Sequence, residues 1–134
     1  MPLGAIQSGR LTRRKRFGTA TPRRQFLFGR LQDLVNDLVS TGSVKRIYLF
    51  GSFVSRKSSP NDIDLLVVME AGFTTAQLSG RVSEVFQHDL CRIRYHANVF
   101  WVTEVIGDER IDDLLDVFSR NREKQQRPII EVKV

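Results

Sequence analysis

The chain has 134 residues, of which 41% are hydrophobic and 27% are charged, and its formal net charge is +6 at pH 7. This composition is typical of one soluble globular domain, and the length is sufficient for one core. Apolar runs of about five residues are too short for a membrane span, which needs roughly 20. The single cysteine, Cys91, excludes an internal disulfide and favours a reducing compartment, so we expect a cytoplasmic protein.

The positive charge is concentrated in the N-terminal part of the chain, because the first 32 residues contain eight basic residues and no acidic one. Proline and glycine residues interrupt residues 1–20, so we predict an irregular basic arm there. Such an arm can bind nucleic acid or another polyanion, and a solvated tail that only aids solubility is the alternative. The candidate nucleic-acid contacts are Arg10, Arg13, Arg14, Lys15 and Arg16.

An amphipathic helix is predicted after the arm. Thr21 is a good N-cap residue, and Pro22 suits the first helical position. The apolar residues that follow have the spacing of one helical face, and they are Leu27, Leu31, Leu34, Val35 and Leu38. The helix should end near Gly42, which can adopt the left-handed conformation.

Two strands are predicted next. The β-forming residues of Arg46–Phe50 indicate a short strand, which Gly51 and Ser52 end. A polar, turn-rich segment then leads to Asp62–Met69, "DIDLLVVM", which is the second predicted strand.

The rest of the chain adds two helices and two strands. We predict helices at Thr75–Gln87 and Asp108–Arg120, on either side of a strand at His96–Val102. Residues 129–134, "IIEVKV", alternate between apolar and polar and predict a half-exposed edge strand. Such an edge can pair with a second copy of the chain, giving a homo-oligomer, or pack within the domain. Together the elements indicate a single α/β or α+β domain over residues 1–134.

Two carboxylates lie at the start of the second predicted strand. Residues i and i+2 of a strand share a face and lie roughly 6.5–7 Å apart, so Asp62 and Asp64 should point the same way. Close carboxylates repel and partial burial makes each harder to ionise, whereas a divalent cation such as Mg²⁺ relieves both problems. A structural salt bridge from Asp64 to an arginine is the alternative.

Gly51 and Ser52 are candidates for binding phosphate. A glycine after a strand allows a phosphate to approach the backbone closely, and a serine adds a hydroxyl and an amide N–H. If a short helix starts at Ser52, its free N–H groups favour an anion. Arg56 and Lys57 follow one turn later and could neutralise more charge, although exposed basic residues are more often only solvated.

The stretch "LFGSFVSRKSSPNDIDLLVV" resembles the signature of the DNA polymerase β-like nucleotidyltransferase superfamily. The resemblance implies an α+β domain with a mixed, mostly antiparallel sheet flanked by helices. It also implies that Gly51 and Ser52 bind the phosphates of a nucleotide such as ATP, and that Asp62 and Asp64 bind catalytic Mg²⁺ or Mn²⁺.

A second resemblance extends to both ends of the chain. The segments "PLGAIQSGRLTRRKRFGTATPRRQFL", "IYLFGSFVSRKSSPNDIDL" and "FSRNREKQQRPIIEVKV" are similar to a small bacterial or phage-associated group of nucleotidyltransferase-like proteins of unassigned function. The wider superfamily includes minimal nucleotidyltransferases that are paired with helical proteins in toxin–antitoxin systems. A helical protein partner is therefore among the partners that the resemblance implies.

The chain departs from the superfamily pattern at its third carboxylate. That acid usually lies on a later strand beside the first two, and the matching position here is Asn98. An asparagine can offer a carbonyl oxygen, but it has no charge and cannot act as a base. His96 lies nearby and could serve as base or ligand, or be an ordinary hydrogen-bonded histidine. Glu104 could reach the site only if the chain folded back.

These observations leave two hypotheses of different classes. The first is a metal-dependent nucleotidyltransferase that moves a nucleoside monophosphate from an NTP to a hydroxyl of RNA, protein or a small molecule. The second is a catalytically inactive protein of the same fold, which binds nucleic acid or a protein partner and could belong to a toxin–antitoxin pair.

Overall fold

The computed structural model of the chain describes residues 6–9, 21–54, 60–120 and 129–134. The candidate nucleic-acid contacts between Arg10 and Arg16, and the candidate phosphate ligands Arg56 and Lys57, lie outside these ranges. Within the described ranges, no helix is both long enough and apolar enough to cross a membrane.

Strands and helices alternate irregularly along the chain. In order they are β1 (Ile6–Gly9), α1 (Pro22–Val39), β2 (Val44–Phe50), β3 (Ile63–Met69), α2 (Gly80–Val85), α3 (His88–Tyr95), β4 (Ala97–Thr103), α4 (Asp108–Phe118) and β5 (Ile129–Val132). Short 3₁₀ turns occupy Ser52–Val54, Thr75–Gln77 and Glu104–Ile106.

The five strands form one mixed sheet in the order β1-β5-β2-β3-β4. Strand β2 runs antiparallel to both of its neighbours, β3 and β5. The outer pairs, β1 with β5 and β3 with β4, are parallel. The predicted α+β fold with a mixed sheet is therefore confirmed. The sheet is not mostly antiparallel as expected, because the two central pairs are antiparallel and the two outer pairs are parallel.

Helix α1 begins and ends as its capping residues predict. The Thr21 side chain accepts a hydrogen bond from the Arg24 N–H, and Pro22 occupies the first turn. Gly42 adopts a left-handed φ of +73° three residues after the helix ends. The predicted apolar face is confirmed, because its members are all buried: Leu27, Leu31, Leu34, Val35 and Leu38.

The sheet separates two apolar clusters, and β3 contributes to both. Ile63, Leu65 and Val67 point into the larger cluster, which α1 and α3 cover. Leu66 and Val68 point into the smaller one, which α4 covers through buried residues such as Ile111 and Leu115. This alternation fits the period of two in a strand, so Asp64 emerges on the side of the smaller cluster.

The region after β3 differs from the single helix predicted at Thr75–Gln87. A 3₁₀ turn at Thr75–Gln77 is followed by Gly80, whose φ of +64° is incompatible with a continuous helix. Helix α2 is therefore short, and a further helix, α3, follows at His88–Tyr95. Helix α3 was not predicted, since it buries only Cys91 and Tyr95 and lacks a clear apolar stripe.

Two expectations about the ends of the chain were wrong. The arm was predicted to be irregular, but Ile6–Gly9 forms strand β1. The strand at the C-terminal end was predicted to be an edge strand, but β5 lies between β1 and β2 and buries Ile129, Ile130 and Val132. Because β5 already has a partner on each side, it has no free edge for a second copy of the chain. Pairing through the edge of β5 therefore no longer supports the predicted homo-oligomer.

Candidate functional site

The two neighbouring parallel strands bring Asp64 and Asn98 side by side. The residues are direct register partners in the ladder between β3 and β4. The Asn98 Nδ2 donates a hydrogen bond to Asp64 Oδ1 at 3.0 Å. The sequence prediction that Asn98 occupies the position beside the acid pair therefore agrees with this geometry, and here Asn98 acts as a hydrogen-bond donor to the carboxylate.

The turn after β2 brings Gly51 against the same carboxylate. Phe50, the last residue of β2, pairs with Asp64 across the antiparallel ladder. Gly51 then turns with a left-handed φ of +81°, and a Cβ placed on it would lie 2.3 Å from Asp64 Oδ2. Only glycine fits both the conformation and the space, since real Cβ contacts are not this short. The predicted phosphate-binding turn and the predicted metal-binding acid thus meet.

Ser52 begins a short 3₁₀ turn, Ser52–Val54, directly after this glycine. The turn closes with a hydrogen bond from the Val54 N–H to the Gly51 carbonyl at 3.3 Å. Its side chains Phe53 and Val54 are buried in the larger cluster. The helical start that was considered at Ser52 is present as this single turn, and its hydrophobic residues fix the position of Gly51 and Ser52.

Asp62 lies just before β3, outside the ladder, and is half-buried. Its Oδ2 lies 3.9 Å from Arg92 Nη2 of helix α3. Its charge acts on Asp64, since it contributes to raising the pKa of that carboxyl. Asp62 therefore does not share a strand face with Asp64 as predicted, because β3 begins at Ile63, and Asp62 has a cationic neighbour in Arg92.

Burial is the main influence on the ionisation of Asp64. Removal from water raises the pKa of this carboxyl, the hydrogen bond from Asn98 lowers it, and the charge of Asp62 raises it. The net result is a pKa above the ordinary aspartate value. The predicted alternative, a salt bridge from Asp64 to an arginine, is absent among the described residues, and the side chain that bonds to Asp64 there is the neutral Asn98.

Two consecutive arginines at the start of α1 hold the two halves of the site. Arg23 donates from Nε to the Pro60 carbonyl at 3.1 Å and from Nη2 to the Asn61 carbonyl. Arg24 is only 3% exposed and donates from Nη1 to the Phe53 carbonyl. One arginine thus holds the segment before Asp62, and the other holds the turn after Gly51.

Sequence reasoning missed this role, because it counted Arg23 and Arg24 within a basic surface. A signal for Arg24 was nevertheless present. Arg24 lies three and four residues before Leu27 and Phe28, on the face that α1 buries. An arginine in line with a buried stripe predicts a guanidinium that bonds inside the protein.

His96 lies beside the site, while Glu104 does not. His96 lines a shallow surface depression together with Asp62, Asp89, Arg92 and Ile93. Glu104 follows the far end of β4, and its Oε2 accepts a hydrogen bond from the Ala71 N–H at 3.0 Å. The fold-back that would have brought Glu104 to Asn98 does not occur.

The donor set fits a magnesium ion that is shared with a substrate, and does not resemble a closed protein cage. Among the residues described, no group of three or more His, Cys, Asp or Glu side chains is arranged to hold a metal. Mg²⁺ needs only one or two carboxylates when phosphate oxygens and waters complete its shell. Asp62 and Asp64 supply that number, and the bare backbone of Gly51 keeps the space beside Asp64 Oδ2 free of a side chain.

One comparison with known proteins gives a result. The model of a family of unknown function, DUF6932, matches residues 6–133. Neither the curated proteins nor the solved structures contain a significant match to the chain.

Proposed function

The chain belongs to the DUF6932 family, whose function is unknown, and from the geometry of its site we propose that it is a metal-dependent nucleotidyltransferase. It would transfer a nucleoside monophosphate from an NTP to a hydroxyl acceptor and release pyrophosphate. Since NTPs are intracellular compounds, the proposal also favours the cytoplasm.

One observation carries this proposal, namely the close approach of Gly51 to the Asp64 carboxylate. A Cβ on Gly51 would lie 2.3 Å from Oδ2, so the turn and the acid occupy adjoining space. A phosphate that approached the Gly51 backbone would therefore lie beside Asp64. A phosphate and a carboxylate are both negative, and a cation between them would make this proximity favourable.

The reaction makes one bond and breaks one. The acceptor oxygen attacks the α-phosphorus, the bond from that phosphorus to the bridging oxygen breaks, and pyrophosphate leaves with the electron pair. The acceptor proton passes to water, since Asn98 has no basic atom to receive it. Most of the rate enhancement in such reactions comes from positioning and charge neutralisation. The lack of a base at Asn98 therefore lowers the rate of transfer but does not abolish it.

Each residue of the site has a part in this scheme. Asp62 and Asp64 would hold Mg²⁺, which when bound supplies positive charge for the triphosphate. Gly51 and Ser52 would receive the phosphates through backbone N–H groups and the serine hydroxyl. Asn98 orients Asp64 through its 3.0 Å hydrogen bond and is a positioning residue.

The test is transfer of label from α-labelled NTPs in the presence of Mg²⁺ or Mn²⁺, with cell extract as the source of acceptors. We expect labelled product with the wild type and none with Asp62→Ala or Asp64→Ala. Asp113→Ala is the matched control, because Asp113 is an exposed carboxylate on α4. Absence of both transfer and metal-dependent NTP binding by the wild type would overturn the proposal.

A second candidate function is favoured by the hydrogen bond between Asn98 and Asp64. The neutral Asn98 donates a hydrogen bond to the Asp64 carboxylate. A third acid in its place would repel that carboxylate, and a metal ion would be needed to offset the repulsion. The chain would then bind a nucleotide without transferring it. NTP binding by the wild type that needs no divalent cation, with no transfer to any acceptor, would favour this candidate.

A further inference from the structure

The exposed side of α1 presents an aromatic ring between two arginines. Phe26 is 45% exposed, which is high for a large apolar side chain. Arg23 and Arg30 lie three residues before and four residues after it, so all three share one helix face. Their guanidinium carbons are 5.7 and 5.9 Å from the centre of the Phe26 ring. A π surface and two cationic groups are thus adjacent on one face.

This ring adjoins the site that contains Asp62. The rings of Phe26 and His96 meet edge to face, with centroids 4.9 Å apart and an interplanar angle of 84°. The His96 carbonyl accepts a hydrogen bond from the N–H of Ile63, the residue between the two acids, at 2.9 Å. His96 also lines the depression that contains Asp62 and Ile93, the latter 74% exposed. The exposed surface therefore continues from Phe26 to Asp62.

Beyond Phe26 on the other side, Arg30 borders a partly open polar cleft of about 210 Å³. Arg81 and Arg94 line the same cleft, but each is paired with a carboxylate, Arg81 with Asp37 at 2.9 Å and Arg94 with Glu84 at 3.0 Å. The bond from Arg30 to Asp33, at 2.7 Å, joins two exposed side chains. Exposed pairs of this kind contribute little stability, so a phosphate could replace Asp33 at small cost. The guanidinium group that this cleft offers beside the aromatic ring is therefore that of Arg30, whose ion pair with Asp33 is exposed.

We propose that this strip, which we call the Phe26 surface and define as Arg23, Phe26, Arg30, Ile93 and His96, binds single-stranded nucleic acid. Bases stack on aromatic rings and guanidinium planes, and phosphates pair with arginines. The binding goes beyond the transfer reaction and does not require it. If the proposed function also holds, the bound strand is the acceptor, because the strip leads to Asp62.

Charge elsewhere in the chain favours a polyanion over a protein partner. Five residues separate the basic run "RLTRRKR" from the start of α1, and the first acidic residue of the chain is Asp33. Arg23 donates its hydrogen bonds to neutral carbonyl groups, and within the described ranges no carboxylate forms an ion pair with it. A predominantly apolar partner would gain little from the two guanidinium groups of the strip, those of Arg23 and Arg30.

The test measures fluorescence anisotropy of a labelled single-stranded RNA of about ten nucleotides, which lies within the usual site size. NTP and divalent cations are omitted, so that binding is measured independently of transfer. We expect Phe26→Ala to weaken binding about 5- to 150-fold, the range for loss of one base–aromatic stack. Arg30→Gln should weaken binding and lower the slope of log Kd against log salt by about 0.7, the value for one phosphate contact.

Matched variants separate this binding from general effects. Val117→Ala removes an exposed apolar side chain on α4, and Arg120→Gln removes an exposed arginine that follows α4 and pairs with Asp116. Both should bind as the wild type does, and Phe26→Tyr should retain affinity because it keeps a ring. Circular dichroism of each variant checks that its fold is intact.

Three outcomes would overturn the inference. They are wild-type affinity in both Phe26→Ala and Arg30→Gln, equal affinity for a duplex of the same sequence, and no binding of the RNA by the wild-type chain. RNA binding that depends on Phe26, together with no transfer in the labelling assay, would support the Phe26 surface while the proposed function fails. Transfer of label to another acceptor, together with no RNA binding, would support the proposed function while the inference about the Phe26 surface fails.

Discussion

The Asp64 carboxylate occupies the space that a side chain at Gly51 would need, since a Cβ there would lie 2.3 Å from Oδ2. Gly51 directly follows β2 and Asp64 lies on β3, and the antiparallel ladder that pairs Phe50 with Asp64 brings them together. This contact explains why a glycine directly follows β2. It also explains how the Asp64 carboxylate on the neighbouring strand can lie so close to the backbone of that turn. It also makes the site sensitive to the smallest change at Gly51.

Gly51→Ala should destabilise the fold and displace Asp64. The left-handed φ of +81° alone costs an alanine about 1–2 kcal/mol, and the clash with Oδ2 adds to it. Urea unfolding provides the free energy of unfolding. Gly42→Ala is the matched control, because Gly42 has a similar φ of +73° but no atom within 4 Å of its Cβ position. Equal losses in the two variants would mean that the contact with Asp64 contributes nothing.

Asp64→Asn should stabilise the protein at neutral pH. Because the folded-state pKa of Asp64 is raised, the folded state holds its proton more strongly than the unfolded state does. Stability from this group is present below the unfolded pKa of about 3.9 and is lost as pH rises through the folded pKa. The asparagine removes that loss and still offers Oδ1 to Asn98. Thermal melts should therefore show a higher Tm for the variant near pH 7.

The pH dependence of the difference is the decisive measurement for this prediction. The Tm values of Asp64→Asn and wild type should converge as pH falls below about 4, where Asp64 is protonated in both states. Asp113→Asn, at an exposed position, should follow the wild type throughout. A variant that is less stable than the wild type at pH 7 would show that the carboxylate is stabilising in its present surroundings. Mg²⁺ should raise the Tm of the wild type more than that of the variant.

Asn98→Asp should make the protein depend on divalent cations. The change replaces the donor that lies 3.0 Å from Asp64 Oδ1 by a second carboxylate, so a hydrogen bond is lost and repulsion is added. We expect a loss of about 1–3 kcal/mol at pH 7 without metal, the range for an unsatisfied buried polar group. Mg²⁺ should restore stability, and the rate of nucleotidyl transfer should increase.

Asn98→Ala provides the comparison for that variant. It removes the same hydrogen bond without adding charge, so it should lose stability but gain no response to Mg²⁺. Titration of Mg²⁺ during thermal unfolding of both variants distinguishes them. If the two respond equally, Asn98 does not lie at the third position of a metal site.

The sequence predicted the parts of this molecule that depend on local periodicity and spacing. The stripe of α1, its Thr21 cap and the two faces of β3 follow from helical and strand periods, and all are present. The proximity of Asp64 and Asn98 followed from a family pattern of neighbouring strands, and the register between β3 and β4 agrees with it.

The parts that could not be predicted depend on contacts between distant segments. Strand β1 has only four residues, and its pairing with β5 joins the two ends of the chain, which no local pattern reveals. Arg23 and Arg24 bond to carbonyl groups about 30 and more residues away, so their roles depend on the folded arrangement of the loops. Local pattern therefore located the site, while long-range hydrogen bonds determine how it is held.

Arg24→Met should weaken the fold and the proposed nucleotide binding together. The variant keeps a long apolar stem but removes the donor to the buried Phe53 carbonyl, and hydrogen bonds from charged groups contribute about 1.5–3 kcal/mol. Urea unfolding should show a loss in that range. Arg120→Met, which removes only an exposed pair with Asp116, should lose no more than about 0.5 kcal/mol.

Because Arg24 holds the turn at Ser52–Val54, the dissociation constant for NTP should rise in Arg24→Met even where the protein remains fully folded. Arg24→Lys should recover part of the lost stability and part of the lost affinity. A fully folded Arg24→Met that binds NTP as tightly as the wild type would show that the turn keeps its position without the arginine.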